Sequence, residues 1–229
     1  GVAALAAGDL DLAEAALRDA LERHRTIGSA IGEALALERL ACLLTVRGRL
    51  DEALALVDLG IVVAERARLR RHALTRLHAM EARNRLAAGA LYGAEDAARE
   101  ASETAVRHGE CAACDAAFRA EAVRVALARG RLGEADAEAT QLEDIARQRG
   151  GRILVATARF TRARVLAAHG RRDDALAALA HARAGFLGAG HRLDAGRTVR
   201  IEARLRGADW TMPEELRALD ALVLVDADA

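Results

Sequence analysis

The sequence predicts an all-α protein built as a solenoid of helical hairpins, and three observations carry that reading. The first is composition: 52% of the 229 residues are hydrophobic, only 2% are aromatic, and there is one proline. Ala, Leu, Glu and Arg are good helix formers, whereas the aromatics and turn residues of β-rich cores are scarce. The second is a glycine turn that recurs as AAGDL (6–10), VRGRL (46–50), AAGAL (87–91), ARGRL (128–132) and AHGRR (168–172), with glycines at 8, 48, 89, 130 and 170. Its period of 40 or 41 residues marks about five repeats of one supersecondary unit. The third is a register of small residues. Ala13, Ala53, Ala94, Ala135 and Ala175 follow each glycine by five, and Gly1, Ala41, Ala82, Val123 and Ala163 precede it by seven. Ala20, Gly60, Ala101, Leu142 and Ala182 follow by twelve. Small side chains at fixed heights let two helices approach closely, as stacked hairpins must.

The glycines place the helices. First helices of the hairpins fall near 30–47, 70–88, 111–129, 152–169 and 191–206, and second helices near 11–26, 51–67, 92–107, 133–149 and 173–187. Asp11, Asp51 and Asp173 open their helices, where a carboxylate can cap free amides and favour the dipole. Beyond the repeats, Thr211, Pro213, Glu214 and Glu215 mark a further helix start, and the apolar residues after them would cover the end of the last repeat. The expected organisation is a repeat array over 1–207 and a C-terminal capping segment over 208–229.

This pattern resembles the tetratricopeptide repeat, in which a small residue, a glycine turn and two further small positions mark two antiparallel helices. The second repeat matches best, with Leu37, Leu40, Ala41, Leu44, Gly48, Leu50 and Ala53. Aliphatics or arginine fill the family's aromatic positions, and the period exceeds the usual ~34 residues, which longer helices of about 18 residues would accommodate. The resemblance implies a right-handed superhelix with a concave binding face. The texture of GEALALERLACLLTVRGRLDEALAL is also similar to the long-period repeats C-terminal to the ATPase module in large actinobacterial transcription activators of the LuxR and maltose-activator type. That likeness implies a sensor or interaction module of a larger bacterial regulator, and the start at Gly1 within a helical pattern reads as an excerpt of a longer chain.

Charge and residue inventory narrow the function classes. The 34 basic residues, all arginine, balance 34 acidic ones, which argues against a general nucleic-acid surface. With no lysine there is neither a P-loop lysine nor a Schiff-base lysine, and Ser29 and Ser102 lie in no nucleophile elbow. The expectation is a binding protein without catalytic residues or cofactor, not an enzyme. Three cysteines form no secreted disulfide framework, and the longest nearly apolar run, LALVDLGIVVA, is broken by Asp58 and falls short of the ~20 residues of a membrane span. The chain is therefore read as cytoplasmic. His24, His169, His181 and His191 fall near helix ends or turns, as surface or dipole partners.

Two constellations remain. HGECAACDAAF (108–118) sets His108, Cys111 and Cys114 at intervals of three, and aligning the turns puts His72 within one position of the height of Cys114. Packing cysteines are the favoured reading, with a metal or thiol-redox site of His72, His108, Cys111 and Cys114 as the alternative, the helix N-terminus then lowering a thiol pKa. The other lies on the face that the repeat family directs into its groove, centred six residues before each glycine. That place holds Cys42, Arg83, Arg124 and Arg164, and Arg76 extends the row. Aligned guanidinium groups, with Glu38 and Glu121 nearby, suit an acidic peptide, a protein segment or a small effector. A third reading is self-assembly into a homo-oligomer through open end repeats.

Overall fold

The structure, a computed structural model, describes residues 1–108 and 111–223, and of His108 the backbone alone. Among these residues there are twelve helices and no strand. They are α1 (Val2–Ala7), α2 (Leu10–Thr26), α3 (Ala30–Val46), α4 (Leu50–Ala64), α5 (Arg70–Ala87), α6 (Leu91–His108), α7 (Ala112–Ala128), α8 (Leu132–Arg149), α9 (Arg152–Ala168), α10 (Arg172–Leu187), α11 (Arg192–Arg206) and α12 (Glu214–Asp220). No described helix is long and apolar enough to cross a membrane.

The repeated glycine ends each first helix for a conformational reason. At Gly48 the backbone takes φ 76°, a region that a side chain disfavours, and the amide of Arg49 then donates back to the carbonyl of Leu44 at 2.9 Å. The same back-bond recurs at Ala90, Arg131 and Arg171, so carbonyls left over at the helix end are satisfied within the turn. Helix starts differ from the expectation. They fall one residue before Asp11, Asp51 and Asp173, which places these carboxylates in the first turn beside the dipole rather than at the cap. Capping passes to Asp9, which accepts from the Leu12 amide at 3.1 Å, and to Ser29, which accepts from the Gly32 amide at 3.3 Å. Thr211 caps nothing, since α12 starts at Glu214 behind Pro213.

Each odd-numbered helix pairs with the even one that follows, and α3, α5, α7 and α9 pack side by side as an inner layer. This is an all-α helical-repeat solenoid. The small residues lie where the pairs meet. Ala13, Ala53, Ala94, Ala135 and Ala175 have no exposed surface, and neither do Ala41, Ala82, Val123 and Ala163. In the third set Ala20 is only half-buried, whereas Gly60, Ala101, Leu142 and Ala182 are buried. Gly60 shows why size matters, because a Cβ there would stand 2.6 Å from Cδ2 of Leu77.

The inner layer curves far enough that α1 packs on α11, so the two ends of the array touch. The C-terminal residues reinforce this closure. Leu219 on α12 packs into the cluster of α9, α10 and α11, Leu222 lies against Gly8, and Val223 joins the cluster that holds Leu5. A Cβ at Gly196 would collide with the carbonyl oxygen of Leu219, so α12 reaches α11 only across a glycine.

Enlarging one of the interlocked alanines tests this packing. Ala53→Leu is expected to cost about 1–3 kcal/mol by overpacking, read as a lower midpoint of chemical denaturation with unchanged helical content.

Candidate functional site

The inner layer surrounds a cleft of about 310 Å³ to which α1, α3, α5, α7, α9 and α11 all contribute. Its lining follows the repeat register. Six residues before each turn glycine stand Cys42, Arg83, Arg124 and Arg164, ten before stand Glu38, Ala79, Ala120 and Phe160, and thirteen before stand Arg76, Ala117 and Thr157. Steps of three and four keep these positions on one helical face. The four arginines singled out in the sequence thus converge on one cleft, joined by Arg39 from α3 and Arg197 from α11. Carrying the same register to Gly207 would have found two more lining residues, since Arg197 precedes it by ten and Asp194 by thirteen.

The arginines are interleaved with acids. Glu38, almost fully buried, takes Nη2 of Arg76 and Nε of Arg39, each at 3.2 Å. Glu121, with 4% of its side chain exposed, lies between Arg83, whose Nε donates at 2.8 Å, and Arg124, whose Nη1 donates at 2.5 Å. Asp194 accepts from Nη1 of Arg197 at 2.7 Å and faces Nδ1 of His191 at 3.1 Å. The guanidinium of Arg164 sits 4.4 Å above the ring of Phe160, whose own edge meets Phe186 at a centroid distance of 6.1 Å. These two aromatics do more than fill the core, because both also line the cleft. Among the described residues that line the cleft, six are arginines and three are acids. Nε of Arg76 is buried and has no hydrogen-bond partner among the described residues.

Burial pushes the Glu121 carboxyl up, but Arg124 and Arg83 outweigh it and hold it below the usual carboxylate range. Asp194 is likewise opposed by burial, yet the His191 hydrogen bond, Arg197 and, from across the cleft, Arg83 bring it down to about 2. Both carboxylates, Glu121 and Asp194, are thus kept ionised by arginines from more than one helix.

The second constellation lies at the N-terminal ends of α5 and α7. Nδ1 of His72 is 3.0 Å from Sγ of Cys114 and 3.6 Å from Sγ of Cys111, and the three donor atoms lie within 4.8 Å of one another. Cys111 is the N-cap residue of α7, and Cys114 is buried one turn into that helix. Burial, then the neighbouring Cys111, pushes the Cys114 thiol up to about 12. The lowered pKa that a redox thiol would draw from the helix terminus is absent at Cys114. The structure brings together His72, Cys111 and Cys114, while the side chain of His108, the fourth member of the sequence-based set, lies outside the described residues.

No protein-family model matches the chain, and no curated protein matches it. Among solved structures it is similar to BtubC (BKLC) from P. vanneervenii, with a TM-score of 0.61 and 16% identity over 93% of this chain and 88% of that one. This likeness supports the helical-repeat fold.

The ion pairs set a pH dependence. A carboxylate whose pKa falls on folding stabilises the native state above its unfolded pKa of about 4, and that contribution disappears as pH drops through the folded value. Stability should therefore hold at neutral pH and fall progressively from about pH 4 toward pH 2, followed as the thermal midpoint. Glu121→Gln is expected to cost about 3 kcal/mol at pH 7 by leaving Arg83 and Arg124 without their shared anion, and to flatten that acid limb.

Proposed function

We propose that the chain is a binding module whose central cleft takes a compact anionic ligand, a small effector or the acidic tip of a peptide, and that it is not an enzyme. One observation carries the reading: among the described residues, six arginines and three acids line a cleft of about 310 Å³. That volume is at the small end of the range for small-molecule sites, of order 300–1,000 Å³. Arg76, Arg83, Arg124 and Arg164 are the proposed contact residues, with Arg39 and Arg197 beside them. Planar guanidinium groups match carboxylate and phosphate oxygens two at a time, and Nε of Arg76 is a buried donor with no acceptor among the described residues. The contact between α1 and α11 favours a compact ligand over a peptide threaded along an open groove. Apolar walls from Met80, Phe160 and Phe186 suit an organic anion better than a bare inorganic one.

In the wider protein, we propose the role of sensor or interaction module of a bacterial transcriptional regulator, on the strength of the long-period repeat texture. Neither nucleic acid nor membrane is a proposed partner of this region.

Calorimetric titration with citrate, a sugar phosphate and an acidic nonapeptide tests the cleft. Binding of a compact anion is expected, weakening as salt is raised. Arg164→Ala and Arg197→Ala should each lower affinity at least tenfold, a loss of about 1.4 kcal/mol. Arg131→Ala, which removes an outer-surface pair with Glu95, should leave affinity unchanged. Binding of the peptide alone would point to an extended groove instead. No binding of any probe to the folded protein would overturn the proposal.

A further inference from the structure

We infer that His72, Cys111 and Cys114 form a binding site for a thiophilic divalent cation of the zinc type, fastening α5 to α7. The three residues come from two helices 39 to 42 residues apart in sequence, and their donor atoms nevertheless converge within 4.8 Å. Bond lengths of about 2.3 Å to sulfur and 2.0–2.1 Å to nitrogen at a tetrahedral centre place sulfur and nitrogen ~3.6 Å apart and two sulfurs ~3.8 Å apart. The separation of 3.6 Å from Nδ1 to Sγ of Cys111 equals such an edge, and the 3.0 Å to Sγ of Cys114 is shorter and would open by about 0.6 Å on binding. A neutral imidazole nitrogen has one lone pair and accepts one S–H, and the His72 carbonyl oxygen, 3.9 Å from Sγ of Cys114, gives the second thiol an acceptor. A cation placed between the three atoms uses the same convergence, with both thiols deprotonated.

Packing alone does not require this chemistry. The places equivalent to Cys114 on α3, α5 and α9 hold Gly32, Ala73 and Leu154, and a cysteine serving as a small hydrophobe has no need of an imidazole against its sulfur. Two sulfurs and one imidazole form a soft to borderline donor set, which selects zinc over magnesium or calcium. Three protein donors leave the fourth tetrahedral corner to water, as in zinc sites that exchange a ligand. Binding is a proton exchange without redox chemistry. The two thiols give up two protons to solvent, their sulfurs form two bonds to the cation, and neutral His72 supplies the third through Nδ1. Affinity therefore rises with pH.

The test uses the intact chain, reduced, loaded with zinc and desalted. Elemental analysis is expected to find about one zinc per chain, with a thermal midpoint raised by roughly 5–15 °C at saturating metal. Cobalt loaded in its place should show the sulfur-to-cobalt charge-transfer band and the visible absorption of a tetrahedral ion. Both signals should be lost in Cys111→Ser and His72→Ala and kept in Cys42→Ala. Cys111→Ser is the decisive variant, because serine is a favoured residue at the N-cap position that Cys111 occupies, and circular dichroism checks its fold. Zinc below a tenth of an equivalent in the reduced wild type would overturn the site, as would equal loading of the folded Cys111→Ser protein. A Cys111–Cys114 disulfide in protein that takes up no zinc after reduction would do the same and assign the pair to redox chemistry.

Discussion

Close approach of paired helices through alanine is the constraint on which everything else depends. Ala13, Ala53, Ala94, Ala135 and Ala175 bury themselves completely while filling little space, so the hairpins stack at short distances without large aromatics to lock them. Such an array gains its stability from many similar small contacts between neighbours rather than from one large core. Several separate apolar clusters, instead of one, follow from this. The largest gathers residues of α2, α3, α4 and α5, and smaller ones sit between later pairs.

A layer of helices so closely packed brings their polar faces together as well. Positions six, ten and thirteen residues before the turn glycine look into the same narrow space from successive repeats, which puts arginine beside arginine. Like charges at that spacing are tolerated because each acid is shared: Glu121 by Arg83 and Arg124, Glu38 by Arg39 and Arg76. Removing charged groups from water is expensive, and two hydrogen-bonded cations per carboxylate offset that cost where one would not. Among the described residues, more arginines than carboxylates line the cleft.

Much of this was legible in the sequence, and the remainder was hidden for identifiable reasons. Glycine period and alanine register are local and repeated, so they gave the hairpins, the turn positions and the inner face that carries Arg83, Arg124 and Arg164. The near-equal height of His72 and Cys114 came from the same alignment. Closure of the array did not, because it depends on a curvature summed over all the repeats and on Leu222 and Val223 meeting residues more than two hundred positions earlier. Arg197 and Asp194 escaped notice because the last repeat turns at Gly207 without the flanking pattern of the other five. Helix starts differ by one residue because a leucine or arginine, rather than the aspartate, takes the first helical position.

The cleft and the sulfur–nitrogen cluster share two helices. His72 and Arg76 are one turn apart on α5, and Cys114 and Ala117 stand in the same relation on α7, where Ala117 lines the cleft. Side chains four apart lie on one face of a helix and three apart nearly so, so the cluster continues the cleft wall at its N-terminal end. Any rotation or sliding of α5 against α7 therefore changes both the His72–Cys114 separation and the spacing of Arg83 from Glu121, since these are distances between the same two rigid elements. A tie between their N-terminal ends restrains the arginine register a few turns away through helix rigidity alone, without a relay of side chains.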